Sequence, residues 1–218
     1  ALIFKLPYIR NSLDEAIEFA LSKQLSYQDF LDYILDKEME IRSNNSVNNR
    51  IKNAKFPYIK YLNDLDMNAF QLNVATTIRE LSNLSFIDSG KNVILIGNPG
   101  TGKTHTAIGL GIQACINKKT VLFTTVPNLV IELKESMSLH QLTNYKKKFM
   151  NYDLVILDEL GYISFDKVGS ELLFNLLSLR NESKSIIVTS NLTFDKWTEI
   201  LGDSTLATAM IDRLTCKS

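Results

Sequence analysis

The chain has 218 residues, 45% hydrophobic and 22% charged, which suits one core domain plus a small appendage and gives no compositional sign of disorder. Lys plus Arg equals Asp plus Glu at 24 each, so overall charge says nothing about a polyanionic partner and only local clustering can. No apolar run nears the roughly 20 residues of a membrane span, no signal segment opens the chain, and Cys115 and Cys216 form neither a disulfide framework nor a metal-ligand spacing. A reducing, cytoplasmic location without membrane contact is therefore expected. The chain opens on Ala1 and not on Met, as processed or trimmed material would.

Ser12 and Glu15 have the spacing of a capping box, and Leu13, Ala16, Ile17 and Ala20 follow at helical intervals. A second start signal stands at Ser26 and Asp29, ahead of Phe30, Leu31, Ile34, Leu35 and Met39. Together they predict a small helical module. Its apolar stripe thins over residues 42–50, where Asn and Ser compete for the backbone, so helix and hinge both stay open there. Between Ile41 and Lys60 lie Arg42, Arg50, Lys52, Lys55 and Lys60 with no acidic residue, interleaved with Tyr58 and Tyr61. That pattern fits a phosphate-binding arm or a solvated linker face.

Residues 62–70 read as a connector, and 74–84 as a helix with Ile78 and Leu81 facing inward. The apolar run 93–96 then ends in Gly97-Asn98-Pro99-Gly100-Thr101-Gly102-Lys103-Thr104, which fits G-x-x-x-x-G-K-[ST] and opens a helix-forming segment, 107–115. The glycines let backbone N–H groups turn inward as an anion nest at a helix N-terminus. Lys103 adds a cation for the β- and γ-phosphates, and the Thr104 hydroxyl can bind Mg²⁺. This is the pattern of a nucleoside-triphosphate site.

Further on, 120–125 reads as a strand, Pro127 to Leu133 and 141–150 as helices, and 154–157 as an apolar strand closing on Asp158-Glu159. A helix about Leu172–Leu177, a strand at 185–191, a short helix around Trp197 and a last helix over 206–214 complete the chain. Strands alternating with helices predict a parallel, doubly wound α/β sheet buried on both faces. Gly97, Asp158-Glu159 and Asn191 each fall at the carboxyl end of a strand, where such sheets bind ligands. Asp158 is the expected Mg²⁺ partner beside Thr104, and Glu159 the expected proton acceptor for an attacking water. Asn191 is placed to hydrogen-bond that water or the γ-phosphate. Small-molecule kinases share the loop, but the Asp-Glu pair argues for water as nucleophile. His105 and His140 are isolated and read as packing or surface residues.

With these residues in place, the chain resembles the AAA+ ATPases of the helicase-loader and initiator group, and more closely the IstB-type transposition helper ATPases. The stretches that carry the resemblance are 92–105, 152–162, Asp166-Lys167, Leu173-Phe174, Thr189-Ser190-Asn191, 211–214 and Ala54-Lys55-Phe56-Pro57. The resemblance implies an AAA+ P-loop core with a parallel doubly wound sheet over 62–218, preceded by a small all-α domain over 1–61. It implies ATP and Mg²⁺ as cofactors, ATP hydrolysis, and nucleotide contacts from Gly97 through Thr104 and from His105. Subunits would stack around double-stranded DNA as ring or helical homo-oligomers, each active site completed by a neighbour's arginine, for which Arg213 is the matching position. DNA would be gripped by a helical insertion within 128–150, carrying Lys134, Lys146, Lys147 and Lys148, and by the basic run that includes Arg42, Arg50, Lys52 and Lys55. A transposase would be the protein partner; a replicative helicase loader and a nucleotide-gated DNA scaffold are the alternatives. Relatives continue past the position of Ser218 into another strand, so the sheet is expected to be one strand short, and Cys216 stands where His is more usual.

Overall fold

The computed structural model describes residues 5–180 and 183–216, and the chain forms two compact units, 1–49 and 50–218. Among the described residues no helix is long and apolar enough to cross a membrane. The first unit is a helical hairpin of α1 (Pro7–Lys23) and the start of α2 (Tyr27–Asn53). Pro7 occupies the first turn, where a missing N–H costs nothing, so α1 begins five residues before the capping-box position. Ser12 instead marks a kink, with φ −136° and ψ 25°. Ser26 behaves as expected: its hydroxyl oxygen accepts the Asp29 N–H at 3.1 Å. The buried Glu38 carboxylate accepts the Ile9 N–H at 2.9 Å, satisfying one of the orphan donors in the first turn of α1. Tyr33 stacks on Phe19 with centroids 4.8 Å apart. The Asn/Ser run does not break α2, which stays helical to Asn53 with most of those side chains turned to solvent.

In the second unit, β1 (Val93–Ile96), β2 (Val121–Thr125), β3 (Leu154–Leu160) and β4 (Ser185–Ser190) form one parallel sheet in the order β1-β4-β3-β2. Around it lie α3 (Leu72–Leu81), α4 (Ser85–Asp88), α5 (Lys103–Ile116), α6 (Val126–Ser138), α7 (Leu142–Met150), α8 (Lys167–Arg180), α9 (Trp197–Leu201) and α10 (Ser204–Thr215). Alternation along β3 sends Leu154 and Ile156 into a core with α5, and Val155 and Leu157 into a second core with α6, α8 and α10. Both faces are therefore covered, as the continuous apolar strands require. Residues 50–61 pack with this unit, not with the hairpin: Ala54 is fully buried, its carbonyl accepts the Phe123 N–H at 2.8 Å on the edge of β2, and Phe56 lies 6.1 Å from the Phe123 ring. The packing boundary thus falls at residue 49, ahead of the expected residue 61.

At the amino ends of β3 and β4, the fully buried Arg180 guanidinium donates to four carbonyls: Phe149 (2.8 Å), Tyr152 (3.0 Å), Asp153 (3.3 Å) and Ser185 (3.0 Å). Burial pulls its pKa down to about 10, and the nearby Asp153 charge opposes the fall.

Candidate nucleotide site

The phosphate loop is built by local backbone chemistry. Gly100 and Gly102 sit at φ 80° and 82°, a region closed to most side chains, and Gly102 caps α5. The first intrahelical bond of α5 runs from Thr106 N–H to Gly102 O at 2.8 Å. The N–H groups of Lys103, Thr104 and His105 are thus left without intrahelical acceptors, at the positive end of a fourteen-residue helix. Such a terminus favours an anion. Lys103 arches over the loop, its amine donating to Gly97 O (2.7 Å) and Asn98 O (2.8 Å). Burial lowers its pKa, while the Asp158 carboxylate works in the opposite direction. The His105 ring is turned away, to the Tyr61 carbonyl at 3.1 Å.

Two expected residues meet here, one at the start of α5 and one on β3. The Thr104 hydroxyl donates to Asp158 Oδ1 at 2.8 Å, linking loop to acid strand over 54 residues of sequence. A hydroxyl and a buried carboxylate side by side are the hard oxygen donors that Mg²⁺ takes, so the residues present fit that ion. Next to Asp158 the β3–β4 ladder breaks: Leu157 pairs with Val188, but Leu160 pairs with Ser190, so β3 carries one residue more than its neighbour. Within this bulge Glu159 takes φ 63°, and its N–H donates to the Thr189 hydroxyl at 3.1 Å. The Ser190 hydroxyl donates to Leu160 O at 2.6 Å. Asn191, one residue past the end of β4, keeps its side-chain oxygen buried without a hydrogen-bond partner among the described residues. Gly161 permits this placement, since a Cβ there would lie 3.0 Å from that oxygen.

Two parts of the site carry no motif in the sequence. The connector and α3 form, with β1 and the loop, a cleft of about 910 Å³ lined by Leu65, Phe70, Val74, Ile78 and Leu81 on its apolar side. Its size and apolar wall suit a planar base beside the phosphate nest. Phe70 packs so close to Gly102 that a Cβ there would lie 3.1 Å from the ring. The apolar residues punctuating 65–81 were the available signal. The second part is the pair of β4 hydroxyls, Thr189 and Ser190, which no sequence pattern marks as bonded to β3.

Other expected residues lie apart from this cluster. Asn92 donates to Leu214 O (3.2 Å) and accepts the Ile186 N–H (3.0 Å), pinning the end of α10 at the amino ends of β1 and β4, a strand length from the loop. Arg213 is exposed there and rests on Phe174, 5.3 Å from the ring centroid. Lys146, Lys147 and Lys148 share α7, the last two exposed. Lys134 on α6 is held at 2.6 Å by Asp166, which also caps α8 through Gly169 N–H. Arg42 donates to Lys5 O within the first unit; Arg50 is half-buried, and Lys52 and Lys55 are exposed in the second.

The family model described as IstB-like ATP binding protein matches residues 2–218. An insertion sequence IS21 ATP-binding protein of Pseudomonas aeruginosa is 36% identical over 96% of this chain and 79% of its own. An IS5376 ATP-binding protein of Geobacillus stearothermophilus is 37% identical over 96% and 83%. Among solved structures, the DnaC helicase loader superposes with a TM-score of 0.57 at 23% identity, over 75% of this chain and 95% of that one, a likeness of fold. The parallel sheet, the phosphate loop and these relatives give one answer: the chain belongs to the IstB-like ATP-binding proteins associated with insertion sequences, built on the AAA+ P-loop fold.

Proposed function

We propose that this chain is a DNA-dependent ATPase that assists transposition, assembling on target duplex and presenting it to a transposase. The observation that carries the reading is the Thr104–Asp158 hydrogen bond, which joins the phosphate nest to an acidic strand end with Glu159 next in line. Lys103 and the amides of α5 hold the β- and γ-phosphates; Thr104 and Asp158 hold Mg²⁺, which neutralises charge on the phosphates when bound. Glu159 takes the proton of the attacking water, and Asn191 orients that water from just past the end of β4. Arg213 serves a neighbouring subunit. DNA contact falls to the exposed lysines Lys147 and Lys148 of α7 with Lys52 and Lys55, whereas Lys134 must first leave Asp166. The insertion-sequence setting of the relatives supports the transposase as partner.

The test is phosphate release by the parent and by Glu159→Gln, with and without duplex DNA, alongside ATP binding by calorimetry. Duplex should accelerate the parent, and the variant should bind ATP normally while losing about 10²–10⁴ in turnover. Equal turnover by both would remove Glu159 as the base, and binding without any phosphate release would make the chain a nucleotide-gated scaffold. Side-by-side capture should retain the transposase of the same element; retention of the replicative helicase alone would turn the reading to a helicase loader.

A further inference from the structure

We propose that Thr189 is the positioning residue of the acid pair: one buried hydroxyl fixes the backbone of Glu159 and the carboxylate of Asp158 together. The assignment rests on the hydrolysis reading above. Thr189 lies on β4 opposite the extra residue of β3, 2% exposed. Its hydroxyl accepts the Glu159 N–H at 3.1 Å and donates its own proton to Asp158 Oδ1. A hydroxyl has one proton and two lone pairs, so it can do both at once. Asp158 Oδ1 also accepts from Thr104. A continuous chain of hydrogen bonds therefore runs from the amide of the proton acceptor, through Thr189 and the metal-binding carboxylate, to the phosphate loop.

The bulge gives this bond its importance. The Glu159 amide lies where the β3–β4 register is interrupted, and there it donates to the Thr189 side chain. Glu159 also sits at φ 63°, where a non-glycine residue stays only if its surroundings hold it. With the hydroxyl gone, the amide loses its acceptor and the backbone can relax toward the ordinary strand conformation. Successive strand side chains point to opposite faces, so that relaxation re-aims the Glu159 carboxylate. Phosphate contacts come from Lys103 and α5 and do not pass through this bond. Loss of the hydroxyl should therefore act on turnover and spare nucleotide affinity.

The experiment compares Thr189→Val, close to threonine in shape but without the hydroxyl, with Thr189→Ser, which keeps it, in the full chain with Mg²⁺-ATP and duplex DNA. Misplacing a reacting group by about 1 Å typically costs about 10²-fold, so kcat should fall by about that factor in the valine variant with KM for ATP moved less than about threefold. Serine should restore turnover to within about fivefold of the parent. Amide hydrogen exchange at Glu159, followed by NMR without nucleotide, should speed up by at least about tenfold in the valine variant and not in the serine one. Parent turnover by Thr189→Val, or equal impairment of both variants, overturns the assignment. So does failure of both Thr189→Val and Thr189→Ala to fold, which would make the hydroxyl a stability element. If Glu159→Gln turns over like the parent, the hydrolysis reading itself falls and takes this role with it, an outcome separable from the others because it leaves the exchange difference at Glu159 intact.

Discussion

Replacing Arg213 by alanine tests whether each site is completed by a neighbour. The Asn92–Leu214 bond places the end of α10 at the amino end of β1, while the phosphate loop begins at Gly97. Five residue steps of strand separate the two, about 16 Å at ~3.3 Å each, farther than an arginine side chain can span. Arg213 therefore cannot reach the γ-phosphate of its own subunit. As a finger in trans, its loss should cost about 10³–10⁵ in turnover with ATP affinity unchanged. As a surface residue resting on Phe174, its loss would remove a contact worth about 0.5–1 kcal/mol and no activity. It is bonded to neither Asp203 nor Asp212 among the described ion pairs. The assay is phosphate release in mixtures of Arg213→Ala and Glu159→Gln subunits. Each should be inactive alone, but an Arg213→Ala subunit keeps its Glu159 and can receive the arginine of a Glu159→Gln neighbour. Partial recovery, greatest at intermediate ratios, is expected. No recovery at any ratio, with co-assembly confirmed by sedimentation, would refute the finger.

Phe70→Ala should weaken ATP binding by about 10–100-fold, the worth of burying one aromatic face, and leave inorganic triphosphate binding unchanged in calorimetry. Arg180→Leu strips four buried carbonyls of their donor and should cost about 3–5 kcal/mol in urea denaturation, with Arg180→Lys recovering part through its retained charge. Asp153 gives a pH dependence: burial raises its pKa, but hydrogen bonds from Lys184 and Thr120 outweigh that and bring it from 3.8 to about 2. A lowered carboxylate pKa stabilises the fold above the unfolded value and loses that contribution as pH falls through the folded one. Asp153→Asn should then cost about 1–2 kcal/mol at neutral pH after solvent screening, and the difference from the parent should shrink below pH 4 and vanish only below about pH 2 in thermal melts.

What the sequence determined by itself was whatever a contiguous run of residues encodes. The glycine spacing of 97–104 dictates a phosphate nest because positive φ and free N–H groups are properties of that short segment. The unbroken apolar runs of β3 and β4 require burial on both faces, and that requirement implies the parallel sheet with Asp158, Glu159 and Asn191 at its carboxyl ends. Tertiary structure decided what depends on residues far apart in the chain. Whether 43–49 stays helical, where 50–61 packs, and that α1 begins at Pro7 were all left open or drawn differently by local signals. The cleft beside the loop exists because Phe70 lies against Gly102 and α3 lines the same cleft, an arrangement that no local propensity encodes. Likewise, Lys134 looks like any free lysine until Asp166 is brought beside it, and Thr189 looks like any strand threonine until the bulge in β3 sets it between two acids 31 and 30 residues away. In each case the partner, and so the chemistry, is supplied by packing across the sheet.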